Sequence, residues 1–418
     1  MLMPAGLPAD CGDFRKGRKK KGVRQLMAIR ECALQNPAFA ELKHVFDNRD
    51  EKAAAFRAKG GKVIAELGVD VPDEMIIGAG MMPVRVYADP EKALTETDKY
   101  LEFSFDPQVR AQFERLVDGT YGSQVDALAI SNSTDVIIRV FLYLRELHRV
   151  EPEKNVPEVE FIDWLFSRHR LHQQRDEFVI DLFRKAVERW SGKELTDEMI
   201  REGGRICNEN RAALRRIGAL RHGEEVRISG SEALVIIGSA FYMDRAEHTA
   251  LVNQVADAAA EWPVIDAPKV FFTGSQQEDT WLYDQIEAQG LVGAGEDTDA
   301  GDRFYDRDFN MDYPVIRAVV DRYLYREYSA KKATVQERAG ALDREVEAVG
   351  ADGVIFYTNQ YDEVATWDMP KQRKNLEARG IKHMTFGKMQ WPAWKNEDTV
   401  EKLAAFADEL KNAKGGTR

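Results

Sequence analysis

KVIAELGVDVPDEMIIGAGMMPVRV, residues 62–86, reads as one strand–helix–strand unit, and the fold follows from it. Residues 62–67 are a short apolar run. Pro72 opens a helix at the place where proline's missing N–H costs nothing. Gly78-Ala79-Gly80 stops that helix, and residues 82–86 are a second extended piece. Farther on, GTYGSQVDALAISNSTD (119–135) holds a buried-looking strand over 126–130. Polar Ser131-Asn132-Ser133-Thr134-Asp135 sits at its carboxyl end. Ligands of open α/β sheets bind beyond the carboxyl ends of strands. Two site loops are therefore expected, one before Pro72 and one over 131–135.

The same grammar returns near the C-terminus. Residues 269–273 read as a strand ended by Gly274-Ser275. TWLYDQIEAQGL (280–291) is a helix closed by Gly290, and LVGAGED (291–297) is another strand-to-loop unit. Residues 353–357 are a strand that runs into Thr358-Asn359-Gln360-Tyr361-Asp362. MPKQRKNLEARG (369–380) is a helix, and IKHMTFGKMQ (381–390) a last strand. Strands alternating with helices of this length predict parallel sheets.

The expected fold is α/β, with two doubly wound parallel-sheet domains facing a shared cleft. A helical N-terminal arm and a helical middle segment complete it. The boundaries are 1–60 for a basic tail and helical arm and 61–160 for the first α/β domain. A mostly helical connection follows over 161–265, then the second α/β domain over 266–418. The stretch 161–190, FIDWLFSRHRLHQQRDEFVIDLFRKAVERW, is read as helical from its apolar spacing. Thr196 is a helix cap. The arm, apolar at Leu26, Ile29, Leu34, Phe39, Leu42, Val45 and Phe46, would cover a sheet edge or clasp a partner.

Composition excludes several function classes. The 418 residues are enough for two domains with buried cores, and a net charge of −12 argues against a nucleic-acid footprint. No apolar run reaches the about 18 residues of a membrane span. Asp10, Asp13 and Arg15 interrupt the N-terminus before a signal-peptide core forms, so a cytoplasmic location is expected. Cys11, Cys32 and Cys207 are too few and too scattered for a disulfide framework or a CxxC metal site. Cys207 reads as a small buried side chain. His169 and His172 stand among arginines and read as a solvated helix face. The basic run at 15–21, RKGRKKK, reads as a surface tail. GAGED at 293–297 is too short for a dinucleotide fingerprint, and no GxxxxGK[ST] occurs.

Four blocks carry a resemblance: VPDEMIIGAGMMPVRV (71–86), DKYLEFSFDP (98–107), GTYGSQVDALAISNSTD (119–135) and DGVIFYTNQYDEVATWDMPKQRKNLEARGI (352–381). In order and content they resemble the 2-hydroxyacyl-CoA dehydratase family, which includes benzoyl-CoA reductase subunits. That resemblance implies an acyl-CoA substrate and two related subunits. It also implies electrons from a separate ATP-hydrolysing iron–sulfur activator and a [4Fe-4S] cluster held by three cysteines.

At the three positions that match those cysteines the chain has Asp106 in SFDP, Thr134 in NSTD and Tyr361 in NQYD. Iron–sulfur clusters need soft thiolates, which oxygen groups replace poorly. No metal is therefore expected on this chain, and a [4Fe-4S] cluster is expected on a homologous partner. Two readings of the three positions stay open. One is a remodelled pocket with Asp106 as acid or base and Tyr361 as hydrogen-bond donor. The other is a cavity that is filled and does no chemistry, with Asp106 a plain turn residue before Pro107. Asp135 and Asp362 are read as helix caps. Asp70, Arg85, Ser133 and Arg303 are candidate substrate-binding residues, with an interdomain salt bridge the alternative for either arginine. The function implied is a cluster-free subunit paired with a cluster-bearing one. Its rivals are a non-catalytic scaffold and a cluster-free acid–base enzyme on a CoA thioester.

Overall fold

Among the described residues eight strands form two separate sheets of four, and every pairing is parallel. The structure is a computed structural model. It describes residues 16–326, 329 and 331–415, and of 16–22, 414 and 415 the backbone alone. Cys11 and the side chains of the basic run at 15–21 lie outside the described residues.

The first sheet contains β1 (Val63–Leu67), β2 (Met82–Arg85), β3 (Ala127–Ser131) and β4 (Val159–Ile162), in the order β2-β1-β3-β4. The second contains β5 (Lys269–Gly274), β6 (Val292–Glu296), β7 (Gly353–Asn359) and β8 (Lys382–Met389), in the order β6-β5-β7-β8. All residues of β1, β3, β6 and β7 are buried, as in parallel strands covered on both faces by helices. The two orders are the same. In each sheet the chain winds to one side of its first strand, then crosses to the other. The winding reverses between β1 and β3, and again between β5 and β7. Such reversals open a crevice at the carboxyl ends of the strands.

A glycine ends the first strand at each reversal. Gly68 has φ +92°, and a Cβ there would lie 2.4 Å from Ser131 Oγ. Gly274 has φ +125°, and its Cβ would lie 2.0 Å from the Tyr357 carbonyl oxygen. Both glycines thus combine a backbone angle that L side chains avoid with close approach to the third strand.

One expectation fails. Residues 159–162 are a strand, not the lead-in to a helix, and pair with β3 from Leu128↔Val159 to Ser131↔Ile162. The helix starts only at Arg170. Between them the chain is pinned by Asn132, whose Oδ1 accepts from Trp164 N at 3.0 Å. The apolar residues of 161–166 fit either period, and a short apolar run does not distinguish strand from buried helix.

The arm folds back on its own chain. Pro37–Asp47 packs against two middle helices, Gly230–Ser239 and Arg245–Ala259. Leu26, Ile29, Phe39, Leu42 and Val45 are buried, so much of the arm's apolar face covers its own chain, while Met27 and Leu34 stay exposed. Arg30 adds an anchor, pairing with Glu232 and with Asp284 and Glu287 at 2.9 and 3.1 Å. His169 and His172 are exposed, Cys207 is buried, and Thr196 caps Asp197–Arg221 as expected. Among the described residues no helix is long and apolar enough to cross a membrane.

Candidate functional site

The strand ends of both sheets border one cavity of about 560 Å³. β1 runs into Gly68, Val69 and Asp70, and β3 into Ser133 and Thr134. β5 supplies Thr273 to Gln276, and β7 leads to Thr358, Tyr361 and Asp362. Asp70, Arg85, Asp106, Ser133, Thr134, Arg303 and Tyr361, the seven residues selected from sequence, all line this cavity.

Three helices begin at its wall. Asp106 caps Pro107–Val117, and its Oδ1 accepts from Gln108 N at 2.8 Å and Val109 N at 3.3 Å. Burial raises the Asp106 carboxyl to about 7, helped by the charges of Asp362 and Glu278 and opposed by the two backbone N–H groups. Thr134, not Asp135, caps Asp135–Val150, its hydroxyl accepting from Ile137 N at 3.3 Å. Asp135 is exposed in the first turn and pairs with Lys331 at 3.1 Å. It favours the positive end of the helix without bonding it. Asp362 does cap Glu363–Ala378, accepting from Ala365 N at 3.4 Å. Its other oxygen accepts from Ser275 Oγ at 2.5 Å. Tyr361 takes a left-handed φ of +68°, with its ring edge-on to Phe103 at 6.2 Å between centroids.

The wall near β1 is tied together by polar bonds. Ser133 Oγ accepts from Val69 N at 2.9 Å, Ser131 Oγ from Asp70 N at 3.1 Å, and the two hydroxyls lie 2.8 Å apart. The Asp70 side chain is 2% exposed and is bound by Lys332 at 2.5 Å and Arg326 at 3.4 Å. Burial lowers the Lys332 ammonium. Arg326 also donates to Val69 O at 2.7 Å and to Arg303 O at 2.9 Å, and reaches Asp299 at 3.5 Å. Arg85 donates to Asp299 O at 3.4 Å, with its guanidinium 3.6 Å over the Phe241 ring. That bond joins the end of β2 to the loop after β6, a contact between the two halves. Burial pushes Asp299 up, but Arg303, Arg326 and Lys332 overcome it and hold the carboxyl low.

Sequence reasoning missed Ser275, Glu278, Arg326 and Lys332. The strand end at Gly274-Ser275 is the signal that finds Ser275. Arg326 and Lys332 lie in a connection with no periodicity, and only the tertiary fold brings them to Asp70.

Chemically, the cavity offers a carboxyl, Asp106, that burial raises toward neutrality, together with several cations and three helix N-termini. Among the described residues no group of three or more His, Cys, Asp or Glu is placed to hold a metal ion. The architecture defines a class: a protein with two parallel sheets of equal strand order and a cavity between their carboxyl ends.

The family described as 2-hydroxyglutaryl-CoA dehydratase, D-component, matches residues 68–410, and the chain belongs to it. It is similar to the (R)-phenyllactyl-CoA dehydratase beta subunit of Clostridium sporogenes, 23% identical over 84% of this chain and 92% of that one. It is also similar to the (R)-2-hydroxyglutaryl-CoA dehydratase subunit beta of Acidaminococcus fermentans, at 23% over 85% and 94%. A benzoyl-CoA reductase subunit of Thauera aromatica is 23% identical over 54% of this chain and 61% of its own.

Proposed function

We propose that this chain is a cluster-free subunit of an acyl-CoA-processing complex, cytoplasmic and paired with a homologous subunit that holds a [4Fe-4S] cluster. A separate ATP-hydrolysing iron–sulfur protein would supply electrons to that partner. The carrying observation is the family match together with the donor set in the cavity. Where the family resemblance implies three thiolates, Asp106, Thr134 and Tyr361 offer a carboxyl, a hydroxyl and a phenol. Two of these already serve as helix caps. Oxygen groups of this kind do not fit an iron–sulfur cluster. Cys207 lies buried in Asp197–Arg221, its thiol pushed up by burial, and Cys32 lies on the arm; neither lines the cavity.

Two measurements test this reading. Anaerobically purified chain should contain no stoichiometric iron or acid-labile sulfide, with no thiolate-to-iron absorbance band. A full cluster in the isolated chain would overturn the proposal. Coexpression with a homologue that carries all three cysteines should give a complex that survives size-exclusion chromatography. A chain that stays monomeric beside every such homologue would remove the pairing from the proposal.

A further inference from the structure

The two carboxyl oxygens of Asp106 have different tasks. Oδ1 is fixed by two backbone N–H groups at the start of Pro107–Val117. Oδ2 makes no hydrogen bond among the described residues and belongs to a side chain that lines the cavity and is only partly buried. The carboxyl is therefore aimed and held through one oxygen while the other is open to a ligand. Asp362 lines the same cavity, acts on Asp106 through its negative charge and is itself held by Ser275 Oγ and Ala365 N. Arg139, on the helix that Thr134 caps, lines the same cavity with its guanidinium 5.0 Å over the ring of Phe105, the residue before Asp106. Arg139 makes no ion pair among the described residues. A base, a neighbouring charge that tunes it and a cation thus share one chamber.

We infer that Asp106 exchanges a proton with the α-carbon of an acyl thioester bound in this cavity, with Asp362 as a positioning residue that sets when Asp106 is ionised. The inference rests on the reading that an acyl-CoA enters here. The step is redox-neutral. The α C–H bond breaks, its proton goes to Asp106 Oδ2, and the electron pair moves to the thioester carbonyl oxygen as an enolate. Arg139 is the cation available to that oxygen. Return of a proton from Asp106 restores the thioester, so no oxidant or reductant is consumed. A base titrating near the working pH suits such a transfer, and the raised Asp106 carboxyl is of that kind.

The groups facing Asp106 fix the sign of the pH dependence. Asp362 after β7 and Glu278 after β5 raise its titration, and the N–H groups of Gln108 and Val109 lower it. Only the ionised form accepts the proton, so exchange should rise with pH through about 7 and then level off. Without the Asp362 charge that midpoint should move to lower pH.

The experiment uses the full chain, alone and with its coexpressed partner, in D2O with butyryl-CoA and phenylacetyl-CoA. Deuterium at the α-carbon is followed by mass spectrometry, and binding is measured separately by calorimetry. Asp106→Asn keeps an N-cap acceptor and the side-chain shape, and should lower exchange about 10²- to 10⁴-fold with binding retained. Asp362→Asn should retain exchange with its pH midpoint displaced to the acid side, a change that a purely structural role would not produce. Binding of either thioester with no exchange overturns the inference and leaves the acyl-CoA reading standing. Failure of both thioesters to bind overturns that reading and the inference with it. Undiminished exchange in Asp106→Asn, with thermal melting as the folding control, assigns the base elsewhere and overturns it too.

Discussion

Arg221→Ala is expected to destabilise the protein by about 3–5 kcal/mol, the range for removing one partner of a buried ionic cluster. The Arg221 side chain is 1% exposed. Its Nε donates to Gly293 O at 2.9 Å, and its Nη1 to Glu296 at 2.9 Å and Asp302 at 3.3 Å. The residue lies at the end of Asp197–Arg221 and reaches β6, joining the middle helices to the second sheet. Without it the buried Glu296 side chain and Asp302 lose the cation they share, and a buried charge left unpaired is costly. The deficit should depend on pH. Burial pushes Asp302 up, but Arg221 and then His222 overcome it and hold the carboxyl below its ordinary range. A carboxylate held low in the folded state stabilises above its unfolded titration, and that stability fades as pH falls through the folded value. The gap between Arg221→Ala and the parent should therefore be widest at neutral pH and narrow toward acid. Urea unfolding at pH 7.5 and at about pH 3, below the ordinary aspartate titration, measures it. A deficit below 1 kcal/mol at pH 7.5 would mean that the cluster is neutral or solvated.

Gly274→Ala should be nearly as damaging, about 4 kcal/mol, or enough to prevent soluble expression. Two costs coincide at this position. A φ of +125° is strained for any L side chain, and the new Cβ would lie 2.0 Å from the Tyr357 carbonyl oxygen. Backbone cannot step aside as a side chain can. The comparison that separates the costs is Gly60→Ala, with φ +86° and nothing within 4 Å of its Cβ. That variant carries the strain alone, about 1 kcal/mol. Equal melting temperatures for the two would show that β5 and β7 part without resistance. The damage at Gly274 should also reach the cavity. Ser275 N donates to Tyr357 O at 2.8 Å, and Ser275 Oγ accepts from Asn359 N at 2.9 Å and donates to Asp362.

Much of the fold was open to reading because parallel strands leave a plain trace. Continuous apolar runs such as 127–130 and 353–357 end in polar loops, and helices between them end in glycine. Those loops also pointed to the cavity, and with the family resemblance they supplied seven residues that all border it. What escaped was whatever depends on neighbours far along the chain. β4 is four residues long and becomes a strand through β3 and Asn132. Thr134 rather than Asp135 bonds the helix start, a choice made by backbone angles one residue apart. Lys332 and Arg326 reach Asp70 across more than 250 residues. The raised titration of Asp106 comes first from burial and then from Asp362 and Glu278, each on a different loop.

Arg326 has a mechanical consequence. One guanidinium grips Val69 O beside the first sheet and Arg303 O beside the second, and both of those residues face the cavity. The pair of halves is therefore coupled at this residue. Arg326 also pairs with Asp70, Asp299 and Asp306, so parting the halves would cost bonds on one side while the cation kept carboxylates on the other. One buried residue thus staples the two walls of the cavity to each other.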